Sequence, residues 1–321
     1  MRRIFVAGHR GMVGQAICRQ LRSNQDVTVI TRSRSETDLM DQSAVRELLA
    51  AEHLDEIIMC GAKVGGIQAN NNYPAEFIFE NLQIQNNLIH QAHKADIQKL
   101  LFLGSSCIYP VLSPQPMREQ YLLNGYLEPT NEPYAVAKIA GIKMCESYNR
   151  QYGRDYRSIM PTNLYGPEDN FHEDDSHVIA ALVVRFHSAK IKSEPKVIVW
   201  GSGRPKREFL YVDDMANAAC FVLNLTLEEY KAATSEMMSH LNIGSGSEVS
   251  IQELAYAIKD TVGYLGEVEF DASKPDGSPR KLLDVTKMND LGWKAAVNLN
   301  SGLVNTYDWY IKNIDSGLIR K

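Results

Sequence analysis

The chain has 321 residues, 44% of them hydrophobic and 23% charged, which is apolar material for one large domain or two ordinary ones, two being the expectation. A formal net charge of −5 gives no basic footprint, so a nucleic-acid partner is not expected, while anionic small molecules stay open. No apolar run approaches membrane-spanning length, and the opening MRRIFVAGHRGMVG breaks at glycine too early for a secretory leader, so the expectation is a cytoplasmic protein without a membrane partner.

The first apolar run, Ile4 to Ala7, predicts a strand, and Met12 to Leu21 the helix that follows it. Between them stand Gly8, Gly11 and Gly14, where a tight turn needs glycine and a pyrophosphate would approach the backbone closely. The spacing is GxxGxxG rather than GxGxxG, and such a triplet alone is equally a simple turn. The strand before it and the helix after it favour a dinucleotide site, with unpaired N–H groups at the helix N-terminus facing the phosphates.

Val27 to Thr31 reads as the second strand, and the chain then runs Ile30-Thr31-Arg32-Ser33-Arg34. An acid at this turn would bind the ribose hydroxyls of NAD, whereas an arginine accommodates the 2′-phosphate of NADP. No acid stands there, so NADPH is the expected cofactor. Arg32 ranks ahead of Arg34 as its phosphate ligand, and Arg10 adds a further cation.

Helices over Ala44 to Glu52, Phe77 to Ala95 and Tyr134 to Tyr152, the last stopped by Gly153, alternate with strands over Glu56 to Cys60, Leu100 to Gly104 and Tyr156 to Met160. This predicts an α/β fold, a doubly wound parallel sheet of Rossmann type. After Pro161 the alternation loosens, and Gly166, Pro167, Asp169 and Asn170 with the acidic Glu173, Asp174 and Asp175 mark a change of character. Residues 1–165 are read as the cofactor domain with returning segments near 208–245, and residues 166–207 and 246–321 as a smaller, interleaved α/β substrate domain. Lys196 to Trp200 and Phe209 to Val212 are candidate strands that rejoin the main sheet.

Tyr134 and Lys138 are four residues apart on a predicted helix, so both side chains lie on one face. A tyrosine exchanges protons near neutral pH only where a cation stabilises its phenolate, and Lys138 supplies that field. Tyr and Lys at this spacing are often just a packed ring and a solvated amine. Here they follow a strand that ends in Gly104-Ser105-Ser106, and a glycine turn opens the chain. Cys18, Cys60, Cys107, Cys145 and Cys220 are odd in number and widely spaced, which argues against a disulfide framework or a zinc site, and no metal is expected. Cys107, two residues after Ser105, differs from the others: a thiolate in cationic surroundings can abstract a proton α to a carbonyl.

The glycine turn, the serine after the fourth strand and the YxxxK helix resemble the extended short-chain dehydrogenase/reductase superfamily, which works on nucleotide sugars. The segments AKVGGIQANNNYP, GSSCIYP, NEPYAVAKIAGIKMCESYNRQYGRDYRS, PTNLYGPEDNFH and DASKPDGSPRKLLDVT are similar to the branch of it that epimerises GDP-4-keto-6-deoxy-D-mannose at C3 and C5 and reduces it at C4 with NADPH. Other nucleotide-sugar epimerases and reductases of the superfamily are the alternative, and a non-catalytic dinucleotide-binding protein a more distant one.

The resemblance implies that Ser105 and Tyr134 hold the substrate oxygen, that Lys138 also holds the nicotinamide ribose, and that Cys107 and His177 are base and acid. It implies cofactor contacts from Gly8, His9, Arg10, Gly11, Met12, Val13 and Gly14, from Leu103, Gly104 and Ser106, and from Pro161, Thr162, Asn163 and Leu164, with Ser105, Lys138 and His177 shared. For the GDP-sugar it implicates Arg185, Trp200, Arg207 and Asp276, and it implies a homodimer built on the helix pair around Phe77 to Ala95 and Tyr134 to Tyr152. Ala180 and Arg204 depart from the usual pattern without removing a catalytic group.

Overall fold

The computed structural model describes residues 1–172, 176–274, 276–317 and 319; Glu173, Asp174 and Asp175, read above as part of a loop, lie outside the described residues. The first half runs β1 (Arg2–Ala7), α1 (Met12–Arg22), β2 (Val27–Ile30), α2 (Gln42–Ala51), β3 (Glu56–Met59), α3 (Ile67–Asn72), α4 (Pro74–Lys94), β4 (Lys99–Leu103), α5 (Glu132–Tyr152) and β5 (Asp155–Pro161). Then come β6 (Asn163–Tyr165), α6 (Val178–Lys192), β7 (Lys196–Trp200), β8 (Lys206–Tyr211), α7 (Val212–Asn224), α8 (Leu227–Ala233) and β9 (His240–Ile243). The chain ends with β10 (Glu248–Ser250), α9 (Ile251–Val262), β11 (Glu267–Asp271), β12 (Arg280–Lys281), α10 (Thr286–Asp290) and α11 (Leu299–Asn313).

Six parallel strands form the main sheet in the order β2-β1-β3-β4-β5-β9. Their runs are apolar on both faces because helices cover both. On one side α2, α4 and α5 bury Leu48, Leu88, Ile89, Ile139 and Ile142 against Leu100 and Phe102. On the other, α1 and α7 bury Ile17, Leu21, Met215 and Ala219 against Ile4, Val6 and Leu101. The strand order reverses direction between β1 and β3, which places a ligand crevice at the carboxyl ends of those strands.

Helix ends follow local chemistry. Asp41 caps α2 by accepting from the N–H groups of Ser43 and Ala44, Ser250 and Glu253 form a reciprocal capping box on α9, and α5 stops where Gly153 takes a left-handed φ of 67°. Arg157, fully buried on β5, pairs with Asp155 and donates to the carbonyls of Val222 and Leu225, which closes the C-terminal end of α7.

The two candidate returning strands do not rejoin the main sheet. Lys196–Trp200 pairs in parallel with β11, and Lys206–Tyr211 lies among β6, β10 and β12, with Val212 already helical. The physical reason is visible in β7, where Val197 and Val199 are buried while Ile198 and Trp200 are exposed; an interior parallel strand needs both faces covered. The strand that does complete the sheet is β9, whose four residues are all buried beside β5. A third apolar cluster, from Tyr165 to Ile319, packs α6, α9 and α11 around β7 and β8.

Candidate active site

The carboxyl edge of the main sheet gathers most of the residues singled out above. At the end of β1, Gly8 adopts φ +82°, and a Cβ there would lie 2.4 Å from the backbone nitrogen of Gly61, at the end of β3. A Cβ on Gly14 would lie 2.3 Å from the carbonyl oxygen of Gly8. Only glycine lets β1, the turn and α1 approach this closely. No side chain caps α1 at Gly11 and no acid lies in its first turn, so its N–H groups and positive dipole end face the crevice, an arrangement that fits a dinucleotide diphosphate. Met12 and Val13 pack into the core behind, and burial together with the Arg10 charge holds the His9 imidazole below its ordinary range.

At the turn after β2 the structure adds three acids to the sequence reading. Glu36 accepts hydrogen bonds from the backbone and hydroxyl of Ser33, and Arg32 forms an ion pair with Glu52, which also takes Arg3 at 2.8 Å. Arg34 lies 3.6 Å from Asp38. Arg10, unlike Arg32 and Arg34, makes no ion pair among the described residues.

The strand β4 ends at Leu103, and Gly104 leads into a single 3-10 turn over Ser106–Ile108. Ser105, extended at the start of that turn, brings its Oγ to 3.0 Å from Cys107 Sγ. Behind them α5 presents Tyr134 and Lys138, both buried. Lys138 Nζ donates to the Leu103 carbonyl at 2.9 Å and lies 4.8 Å from the centre of the Phe102 ring and 6.0 Å from that of Tyr134. Burial lowers the lysine to about 8, against smaller opposing effects of Cys60 and Cys107. Burial pushes the Tyr134 phenol up, with the Ser105 hydroxyl acting in the other direction, so the phenol holds its proton.

Pro161 ends β5, and Thr162, Asn163 and Leu164 follow it beside the same edge. Thr162 N–H donates to Ile243 at 2.9 Å, and the Asn163 amide donates to the Glu208 carbonyl at 2.8 Å. His177 stands apart: it is the exposed N-cap residue of α6, and no hydrogen bond among the described residues joins it to Cys107.

The four nucleotide candidates meet on the second half of the chain. The Arg185 guanidinium donates to Ile198 and lies 5.7 Å from the centre of the Trp200 ring, which is 63% exposed. Lys274 approaches the same ring at 5.6 Å. Asp276 accepts from the N–H and hydroxyl of Ser202, and the next residue, Gly277, lies so close to Arg207 that a Cβ would stand 2.9 Å from Nη2. Burial depresses the Arg207 guanidinium, whose nearest compensating charge is Asp276; such a cation suits an anionic ligand. From there the chain passes Ser278, Arg280 and Lys281, which line a small cavity together with Cys107, Tyr109 and Glu128.

Two neighbours were not foreseen. Lys274 carries no motif of its own. Asn131, the residue before α5, sends its side-chain amide to the carbonyl of Cys107 at 3.1 Å.

A glycine cradle at a switch point and a tyrosine–lysine pair beside a serine define the class: dinucleotide-dependent oxidoreductases acting on a hydroxyl or carbonyl. Residues 4–244 match the model of the NAD dependent epimerase/dehydratase family, and the chain belongs to that family. Within it, the chain is 59% identical over 313 residues to GDP-L-fucose synthase of Escherichia coli K12, covering 98% of each. Among solved structures it resembles a GDP-6-OMe-4-keto-L-xylo-heptose reductase of Campylobacter jejuni (TM-score 0.92, 34% identity, 97% of this chain and 98% of that one). A GDP-mannoheptose C4 reductase of the same organism with NADP bound is similar as well (TM-score 0.87, 34% identity, 97% and 98% covered).

Proposed function

We propose that the chain converts GDP-4-keto-6-deoxy-D-mannose to GDP-L-fucose, inverting C3 and C5 and then reducing C4 with NADPH. The observation that carries this reading is the thiol of Cys107 at 3.0 Å from the hydroxyl of Ser105, on the loop backed by Tyr134 and Lys138. A simple reductase has no use for a thiol there, whereas an epimerase needs a base beside the group that holds the carbonyl. Full-length similarity to the E. coli synthase supports the substrate.

Ser105 and Tyr134 donate to the C4 oxygen, which draws electrons from the ring and acidifies the C3 and C5 protons. Cys107, as thiolate, takes each proton, and the C–H electron pair becomes an enolate held by the two hydroxyls. His177 delivers a proton from the opposite face, and the new C–H bond has the inverted configuration. Thiol and imidazole return to their starting states by exchange with solvent. When bound, NADPH supplies the hydride that reduces C4. Tyr134 gives its proton to the C4 oxygen, and the Lys138 ammonium stabilises the phenolate left behind.

The loop from Gly8 to Gly14 and the start of α1 would hold the cofactor diphosphate, Arg10 and Arg32 the 2′-phosphate, and Leu103 to Ser106, Lys138, Pro161 to Leu164 and His177 the nicotinamide side. Arg185 and Arg207 take the GDP diphosphate, while Trp200 and Asp276 flank the nucleotide. Residues 1–165 with 208–245 act as the cofactor domain, and residues 166–207 and 246–321 as the substrate domain, a division supported by the separate cluster around α6, α9 and α11. Met288 and Trp293, which pack with the cofactor half, make the two interleave. Exposed Phe79 and Val136 on α4 and α5 support a homodimer through those helices, and five unpaired cysteines support a cytoplasmic location. No helix among the described residues is long and apolar enough to cross a membrane.

The test is Cys107→Ser, assayed for solvent-deuterium incorporation at C3 and C5 and separately for NADPH oxidation. Loss of exchange is expected; exchange at the wild-type rate would remove Cys107 from the role of base.

A further inference from the structure

The 3-10 turn that carries the thiol has a gap in its hydrogen bonding. Ile108 N–H donates to Ser105 and Tyr109 N–H to Ser106, at 3.1 and 3.4 Å. The next donor in that series, for the Cys107 carbonyl, would be residue 110. Residue 110 is proline and has no N–H. The carbonyl of the thiol-bearing residue is therefore left without its natural partner, and the Asn131 side-chain amide fills the vacancy at 3.1 Å.

Asn131 gives up its usual work to do so. Asparagine is favoured before a helix because its side-chain oxygen caps the first N–H groups. Here Asn131 occupies that position on α5, yet its side chain makes no capping bond, and its backbone sits at φ −107°, ψ −4°. Glu128 fixes it there, accepting from Asn131 N–H at 3.0 Å and from the Thr130 hydroxyl at 2.5 Å.

We propose that Asn131 is a positioning residue for epimerisation: by tying the Cys107 peptide to the helix that bears Tyr134, it sets where the sulfur stands relative to the hydroxyls that hold the carbonyl. This rests on Cys107 being the base. The Ser105 N–H is held by the Met160 sulfur and Lys138 by the Leu103 carbonyl, neither through Asn131, so reduction does not depend on the tie.

The experiment separates the two half-reactions in Asn131→Ala and Asn131→Asp. Aspartate keeps the length and an oxygen able to cap α5 but has no hydrogen to give the carbonyl, so it guards against simple loss of the helix start. Epimerisation is read as deuterium incorporation into GDP-4-keto-6-deoxy-D-mannose. The redox step is read in reverse, as NADP reduction by GDP-L-fucose, which needs no inversion. Alkylation of Cys107 by iodoacetamide gives a readout independent of turnover. In both variants exchange is expected to fall by about 10- to 100-fold and the alkylation rate to change, while reverse dehydrogenation stays within about threefold. Adding Pro110→Ala to Asn131→Ala restores a backbone donor and is expected to recover exchange by about fivefold. Equal losses in the two half-reactions, or unchanged exchange, would overturn the proposal. If instead Cys107→Ser exchanges at the wild-type rate, it is the assignment of the base that fails, and the proposal with it.

Discussion

The hydroxyl of Ser105 and the thiol of Cys107 lie 3.0 Å apart, so one short turn puts side by side the two groups proposed to hold the carbonyl and to abstract the proton. The two differ in what they serve. On the proposed mechanism Ser105 acts on the C4 oxygen in every step, Cys107 only in the inversions. Ser105→Ala is therefore expected to lower deuterium exchange and reverse dehydrogenation together, by about 10²- to 10³-fold in kcat, as for removal of an oxyanion-holding donor. Cys107→Ser should abolish exchange and leave reverse dehydrogenation within about tenfold.

Arg32 is already engaged by Glu52, a residue that also binds Arg3. If Arg32 holds the 2′-phosphate as proposed, the phosphate has to compete with that carboxylate. Glu52→Gln is expected to lower KM for NADPH several-fold by releasing the guanidinium, and Arg32→Ala to raise it by about tenfold or more, the scale of a hydrogen bond to a charged group. KM for NADH should move little in either variant; equal shifts for both cofactors would place Arg32 away from the phosphate.

Burial lowers Lys138 to about 8. The ammonium proposed to stabilise the phenolate is present below that pH and lost above it, so kcat/KM for reduction should fall as pH rises through about 8. In Lys138→Arg, whose charge persists, the alkaline fall should be absent even though turnover drops. The stability effect has the opposite direction from that of an ion-paired lysine. The unfolded chain binds the proton up to its ordinary pKa of 10.5, so the cost of burying the ammonium is full below about 8 and is relieved as pH rises from there towards 10.5.

His240 on β9 is fully buried and is lowered to about 3, first by burial and then by Lys143 and Lys287. Its contribution to stability is complete above the unfolded value of 6.5 and is lost as pH falls towards 3. Tyr109 meets its Nε2 at 3.1 Å, and Glu119 nearby, raised by burial, works in the other direction as acid is added. Urea midpoints should drop from pH 7 to pH 5 in the wild type and drop less in His240→Gln.

On α5, Gly141 faces the sheet so closely that a Cβ would lie 2.3 Å from the Phe102 ring and 2.8 Å from Gln85 Oε1. Gly141→Ala is expected to destabilise by about 1–3 kcal/mol through overpacking, visible as a lower thermal midpoint. Phe102→Leu in the same chain should recover part of the loss.

The first-half strands were legible because each is a short apolar run closed by a turn residue, and the glycine loop and YxxxK helix were legible from spacing. The last strand of the main sheet was not. In β9 the sequence His240-Leu241-Asn242-Ile243 looks half-polar, and its polar members find partners when buried because Tyr109 bonds both and the Met117 carbonyl receives the Asn242 amide. Such partners lie more than a hundred residues away in sequence. Glu52 stands only 20 residues from Arg32, yet on a different element, at the C-terminal end of α2, and that hid it from the turn. Asn131 had a local signal after all, a proline three residues beyond the thiol, but its meaning depends on the turn being a 3-10 helix.

Because β9 is an edge of the cofactor sheet, the first 165 residues are not a self-sufficient fragment. Cut there, β5 would present an open edge, and the apolar faces covered by α7 would meet water, a template for aggregation. On the ribosome the same geometry imposes a delay. At roughly 5–20 residues per second, Tyr134 is made on the order of ten seconds before Ile243, and for that interval the nascent chain carries its catalytic side chains on an unfinished sheet.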